Sequence, residues 1–142
     1  MSRRYISNAL KKRIRRQAKF RCGYCLRSET LMGMPMEFEH LTPIVADGKT
    51  VENNLWLACR RCNEFKGIQT HAVDTETGET VLLFNPRTQN WNKHFCWSAD
   101  GAEIIGLTAI GRATVIALKM NEIMIVITRR LWVSVGWFPP DE

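Results

Sequence analysis

Four of the five cysteines stand in two Cys-x-x-Cys pairs, Cys22/Cys25 and Cys59/Cys62, and this spacing limits what the chain can fold into more than any other feature. Each pair offers two sulfurs from one tight knuckle, and two knuckles close a tetrahedral four-cysteine shell around zinc. Between the pairs lies Phe38-Glu39-His40-Leu41-Thr42-Pro43, and Asn63 directly follows the last cysteine. An odd number of cysteines with four in metal spacing suits a reducing compartment better than a disulfide framework, so the chain reads as cytoplasmic. Cys96 has no spaced partner and reads as a buried small hydrophobe.

The net charge of +6 is unevenly distributed. Half of the 20 basic residues precede the first acid, Glu29, and the rest of the chain carries 10 basic against 14 acidic residues. The basicity belongs to the N-terminal segment, where it points to a polyanionic partner, nucleic acid ahead of a membrane surface. No apolar run of secretory type follows Arg3 and Arg4. The apolar stretch Ile104 to Trp137 is interrupted by Arg112, Lys119, Glu122, Arg129 and Arg130, so it offers no uncharged span of ~18 residues for a membrane.

At 142 residues, 45% apolar and 24% charged, the chain fits one globular domain. Its parts read as a basic N-terminal helix within 1–21, a knuckle-bearing core over 22–71 and a strand and helix extension over 72–142. Ser7 caps a helix to about Phe20 with Leu10, Ile14 and Ala18 on one face and Lys11, Lys12, Arg15, Arg16 and Lys19 over the rest. No acid nearby in sequence neutralises these bases, so they are candidate phosphate contacts. Gly23 permits the tight turn of the first knuckle.

Met36 to Leu41 alternates as a strand ending before Thr42-Pro43, and Asn54 to Ala58 reads as the returning strand. A short helix is expected from Asn63 to about Thr70, weakened by Gly67. Further strands are expected at Thr80–Phe84, His94–Ser98 and Ala102–Leu107, the last two joined at Asp100-Gly101. From Thr108 to Trp137 the pattern is helical, with Asn121 as a cap or break and Ile123, Ile127 and Leu131 in one stripe. Trp91, Trp97, Trp132 and Trp137 read as core, and His71 and His94 as structural or surface residues.

Cys22-x2-Cys25, Glu39-His40-x2-Pro43, Asn54-Leu55, Cys59-x2-Cys62-Asn63 and Lys66-Gly67 together resemble the zinc-knuckle branch of the HNH endonucleases. Phe84-Asn85-Pro86-Arg87, His94-Phe95 and Gly111-Arg112-Ala113-Thr114 also look like the tail of small bacterial proteins carrying this domain. The resemblance implies an α+β chain with a ββα-metal core, structural zinc on Cys22, Cys25, Cys59 and Cys62, and metal-dependent hydrolysis of DNA phosphodiester bonds. It implies His40 as general base, Glu39 and Asn63 as ligands of a catalytic Mg²⁺ or Mn²⁺, and Asn54 as the residue that ties down the loop and orients the histidine. Glu39 stands where many relatives have Asp.

Adjacent strand residues point to opposite faces, so Glu39 and His40 line one site only if the strand ends or bulges there. Arg60, Arg61 and Lys66 join the phosphate-contact candidates. Two other functions fit the same residues: a non-catalytic zinc module that binds nucleic acid, and a nuclease subunit directed by a protein partner or a second copy through its C-terminal half.

Overall fold

The computed structural model describes residues 5–141, so Arg3 and Arg4 of the basic run lie outside the described residues. Helix α1 (Asn8–Gln17) begins where Ser7 predicts, with the Leu10 N–H donating to Ser7 Oγ at 3.2 Å. Such a cap is worth about 1 kcal/mol. The helix ends at Gln17, short of the predicted Phe20, because Lys19 and Phe20 take φ of 56° and 59°. Their N–H groups return to Arg16 O and Arg15 O, a Schellman closure that satisfies the last carbonyls. Ile14 and Ala18 are buried and Leu10 half-buried, so the narrow apolar stripe does dock on the core.

Strands β1 (Glu37–His40) and β2 (Leu55–Ala58) form an antiparallel pair in register from Glu37↔Ala58 to His40↔Leu55. Helix α3 (Arg60–Lys66) packs on β1 and completes a ββα unit. It begins earlier than Asn63 because Cys59 Sγ caps it, accepting from Cys62 N–H at 3.4 Å, and Gly67 at φ 52° stops it. The stretch between the first knuckle and β1 contains one helical turn, α2 (Glu29–Met32), capped by Ser28 and closed by Gly33 at φ 72°.

The rest of the chain adds two antiparallel pairs and three helices. Strands β3 (His71–Val73) and β4 (Thr80–Leu82) form one pair; β5 (Phe95–Trp97) and β6 (Ile104–Gly106) form the other, turning at Gly101 with φ 73° as Asp100-Gly101 predicts. Helix α4 (Trp91–His94) precedes β5, and the predicted C-terminal helix divides near Asn121 into α5 (Ala109–Ala117) and α6 (Ile123–Ser134). This is the expected α+β architecture, and among the described residues no helix is long and apolar enough to cross a membrane.

One apolar cluster runs through both halves, from Tyr24, Leu57 and the four knuckle cysteines to Phe84, Phe95, Ile104, Leu118 and Met120. Trp91 Nε1 donates to Tyr24 O at 2.8 Å, and Arg87 donates twice to Leu55 O at 3.1 and 2.9 Å while lying over the Trp56 ring. Gly23 owes its place to crowding and not to its backbone angle: a Cβ there would collide with the Trp56 ring and Pro86.

Two expectations about the tail need correction: Trp137 is exposed and Cys96 only half-buried, whereas part-buried Trp91 and Trp97 pack on the core as expected and Trp132 is part-buried. The stripe Ile123, Ile127 and Leu131 faces outward, because Ile125, Val126 and Arg129 take the inner side of α6. His71 is exposed beside Thr70, and half-buried His94 bonds Thr108 Oγ1 at 2.6 Å.

Asp74 is buried at the end of β3, where Arg112 grips both its oxygens at 2.9 Å and Thr77 donates at 2.7 Å. The Arg112 hydrogen bonds, then Thr77, hold its carboxyl well below the usual carboxylate range. A depressed folded-state pKa contributes stability above the unfolded value, near 4, that is lost as pH falls through the folded one. Asp74→Asn therefore lowers the urea midpoint at pH 7, and denaturant titrations below about pH 4 show the gap to wild type narrowing.

Candidate metal centre and active-site cleft

The two knuckles meet as their spacing predicts. Cys22, Cys25, Cys59 and Cys62 are buried with all four sulfurs within 4.8 Å of one another, and Cys25 Sγ lies 3.8 Å from Cys59 Sγ. A tetrahedron with zinc–sulfur bonds of about 2.3 Å has edges of about 3.8 Å, so the cluster has the dimensions of a structural zinc site. Tyr24 N–H and Cys62 N–H point at Cys22 Sγ and Cys59 Sγ, each at 3.4 Å. Arg27, buried, donates from Nη2 to Cys59 Sγ at 3.2 Å. Hydrogen bonds from the other cysteines, then the Arg27 charge, hold Cys59 far below the usual thiol range, whereas burial pushes Cys22 up. The set favours anionic sulfur at the head of α3, as a metal requires.

Beside the cysteine cluster, β1 stays regular through His40 and ends there, without a bulge. Glu39 and His40 nevertheless both line a cleft of about 380 Å³, with Pro43, Ile44, Asn63 and Gly67, because among the described residues no strand pairs with the other edge of β1. The loop after His40 is braced by Asn54, whose Oδ1 accepts from Thr42 N–H at 2.8 Å. Its Nδ2 donates to Thr42 O and Lys49 O at 3.0 and 2.9 Å. That loop brings Thr50 Oγ1 to 2.9 Å from His40 Nε2.

Glu39 is more deeply held than the alternation of β1 implies. It is buried, with Tyr24 donating to Oε2 at 2.6 Å and the Lys66 ammonium 2.9 Å from Oε1. Burial pushes its carboxyl up, against Lys66 and the Tyr24 hydrogen bond, which pull it down. Lys66 cannot serve as a surface phosphate contact: α3 turns it into the interior, and its other partner is Leu41 O at 3.4 Å. Stripping one member from such a buried pair costs about 3–5 kcal/mol. Apart from the Lys66 ammonium at 2.9 Å, buried Oε1 has no partner. An oxygen so placed, with the Asn63 side chain in the same cleft, fits a hard divalent cation. Asn63 Nδ2 donates to Glu37 Oε1 at 2.7 Å, which fixes the orientation of its amide.

The basic candidates separate in space. Lys12, Arg16 and Lys19 are exposed. Lys11 and Arg15 lie over the Phe38 ring, and Arg15 pairs with Glu29 at 3.2 Å. Neighbouring Arg13 and Gln17 are engaged by Glu52, so acids distant in sequence partly neutralise α1 after all. Arg60 is exposed and pairs with Glu64, whereas Arg61 ties α3 to Leu118 O, Lys119 O and Glu122. Sequence reasoning missed Tyr24, Arg27, Glu37 and Thr50; only Tyr24 and Arg27, close to the first knuckle, offered any local signal.

Residues 22–69 match the family model of HNH endonuclease. This segment is an HNH domain. Its four-cysteine cluster fits the family's zinc-knuckle branch, and the family implies a nuclease with a nucleic-acid substrate. No curated protein and no solved structure matches the chain.

Metal analysis of the purified protein is expected to give one zinc per chain. Arg27→Met keeps the HNH domain's four thiols but removes the side-chain hydrogen bond to Cys59 Sγ, which lowers zinc affinity ~10–100-fold in competition with a chromogenic chelator. Cys62→Ser costs more and unfolds the domain.

Proposed function

We propose that the chain is a metal-dependent endonuclease that hydrolyses DNA phosphodiester bonds in the cleft beside β1, and that it works in a reducing, cytoplasmic setting. The observation that carries this reading is the bracing of the loop after His40 by all three hydrogen bonds of Asn54, which a histidine that merely packs does not need. The tautomer with the proton on Nε2 donates to Thr50 Oγ1 and puts the ring's lone pair on Nδ1. His40 then takes the proton from a water aimed at phosphorus, a task that suits an imidazole because its unperturbed pKa as a side-chain type lies near neutrality. Glu39 and Asn63 would hold one Mg²⁺ or Mn²⁺, which stabilises charge on the phosphate oxygens and the leaving 3′-oxygen. Lys12, Arg16, Lys19 and Arg60 supply the exposed phosphate contacts that position the strand.

The outward stripe of Ile123, Ile127 and Leu131 favours one addition, that the nuclease acts with a protein partner or a second copy seated on α6. Light scattering across a concentration series separates self-association from a monomer that awaits another protein.

The central test is nicking of supercoiled plasmid with Mg²⁺, Mn²⁺ or chelator. His40→Ala is expected to lose at least ~100-fold in rate with zinc content and folding intact. Asn54→Ala, which frees the loop, loses ~10–100-fold. Salt-sensitive DNA binding by a folded wild type that makes no product under any ion would instead indicate a binding module.

A further inference from the structure

The Glu39–Lys66 pair forms a wall between two clefts. Glu39 lines the one that holds His40 and Asn63; Lys66 lines another, of about 300 Å³, with Tyr24, Thr70, Asn85 and Gln89. The two side chains are 2 % and 3 % exposed, and the ammonium sits 2.9 Å from Glu39 Oε1, an oxygen with no other partner. Oε1 is closed off from solvent with the ammonium beside it, so a cation on the His40 side reaches that oxygen only against a positive charge already there. Two cations on one carboxylate oxygen repel strongly in a site shielded from water.

Lys66 has somewhere to go. Its stem is flexible, Leu41 O is a second acceptor 3.4 Å from Nζ, and the cleft behind it is lined by Thr70, Asn85 and Gln89, whose side chains bond His71, the Arg87 and Thr88 N–H groups, and the Asn85 N–H. Tyr24 holds the other carboxylate oxygen at 2.6 Å, so Glu39 stays in place while Lys66 moves.

We propose that Lys66 is a displaceable counter-ion of Glu39: it competes with the divalent cation, which binds only as the ammonium withdraws into the second cleft. The proposal rests on Glu39 being a ligand of that cation. Lys66 then sets how tightly the site takes a metal, and because it withdraws onto Leu41 O, metal loading is transmitted to the residue that follows His40.

The test is Mn²⁺ titration of zinc-loaded protein, by calorimetry and by the electron paramagnetic resonance of free Mn²⁺. Lys66→Met and Lys66→Gln are expected to bind Mn²⁺ about tenfold or more tightly than wild type, whereas Lys66→Arg, which restores the charge, binds like wild type. Unchanged or weaker binding in the folded neutral variants overturns the proposal. Glu39→Gln, alone and with Lys66→Met, separates the two ideas: if it leaves Mn²⁺ binding unaltered in both, the ligand assignment itself fails. Should the neutral variants not fold, the wild type still decides. With ¹³C-labelled lysine, saturating Mg²⁺ shifts the Lys66 Cε signal; a Lys66 signal that stays fixed overturns the displacement.

Discussion

The four knuckle sulfurs lie within 4.8 Å of one another, and the rest of the fold depends on that closure. Cys22 and Cys25 precede β1, and Cys59 and Cys62 follow β2, so a single centre fixes both ends of the hairpin. Cys59 also caps α3, so the centre sets where the helix starts and which of its faces meets β1. Tyr24 lies inside the first knuckle and holds Glu39, which passes the geometry of the sulfur cluster to the cleft in one hydrogen bond. The geometry of the cleft is therefore tied to that of the sulfur cluster.

The extension contributes to the same rigidity from the other side. Arg87 fills Leu55 O on the back of the hairpin, Trp91 reaches Tyr24 O, and Phe84 packs edge-on against Tyr24 at 6.4 Å between centroids. These groups hold the knuckle and β2 against a core shared by both halves. Removing the extension would uncover that core, not simply shorten the chain.

The local devices were legible because each is written in neighbouring residues: the knuckles, the Ser7 cap, the hairpin through Asn54-Leu55, the Asp100-Gly101 turn and the break at Asn121. What was not legible depends on tertiary neighbours. Glu37 and Glu39 look equivalent in an alternating strand, yet α3 covers Glu39 and leaves Glu37 at the rim. Lys66 reads as one more surface cation until the turn of α3 carries it inside. The charge on α1 is met by Glu52, which lies beyond β1, and no window of sequence shows that. On α6 two apolar faces compete, and buried Arg129, donating to Ala102 O at 3.0 Å, selects the inner one against simple hydrophobicity.

Asn121 has a consequence beyond dividing two helices. Its side-chain amide accepts from Ile104 N–H and donates to Ile104 O, both at 2.8 Å, as a neighbouring strand would. A two-stranded sheet has outer edges that invite another chain to pair with them. On β6 that invitation is withdrawn at Ile104 by one amide, beside exposed Ile105 and Leu107. The surface left for association on this side is thus side-chain rather than backbone in character, which biases any assembly away from strand addition and toward helix packing.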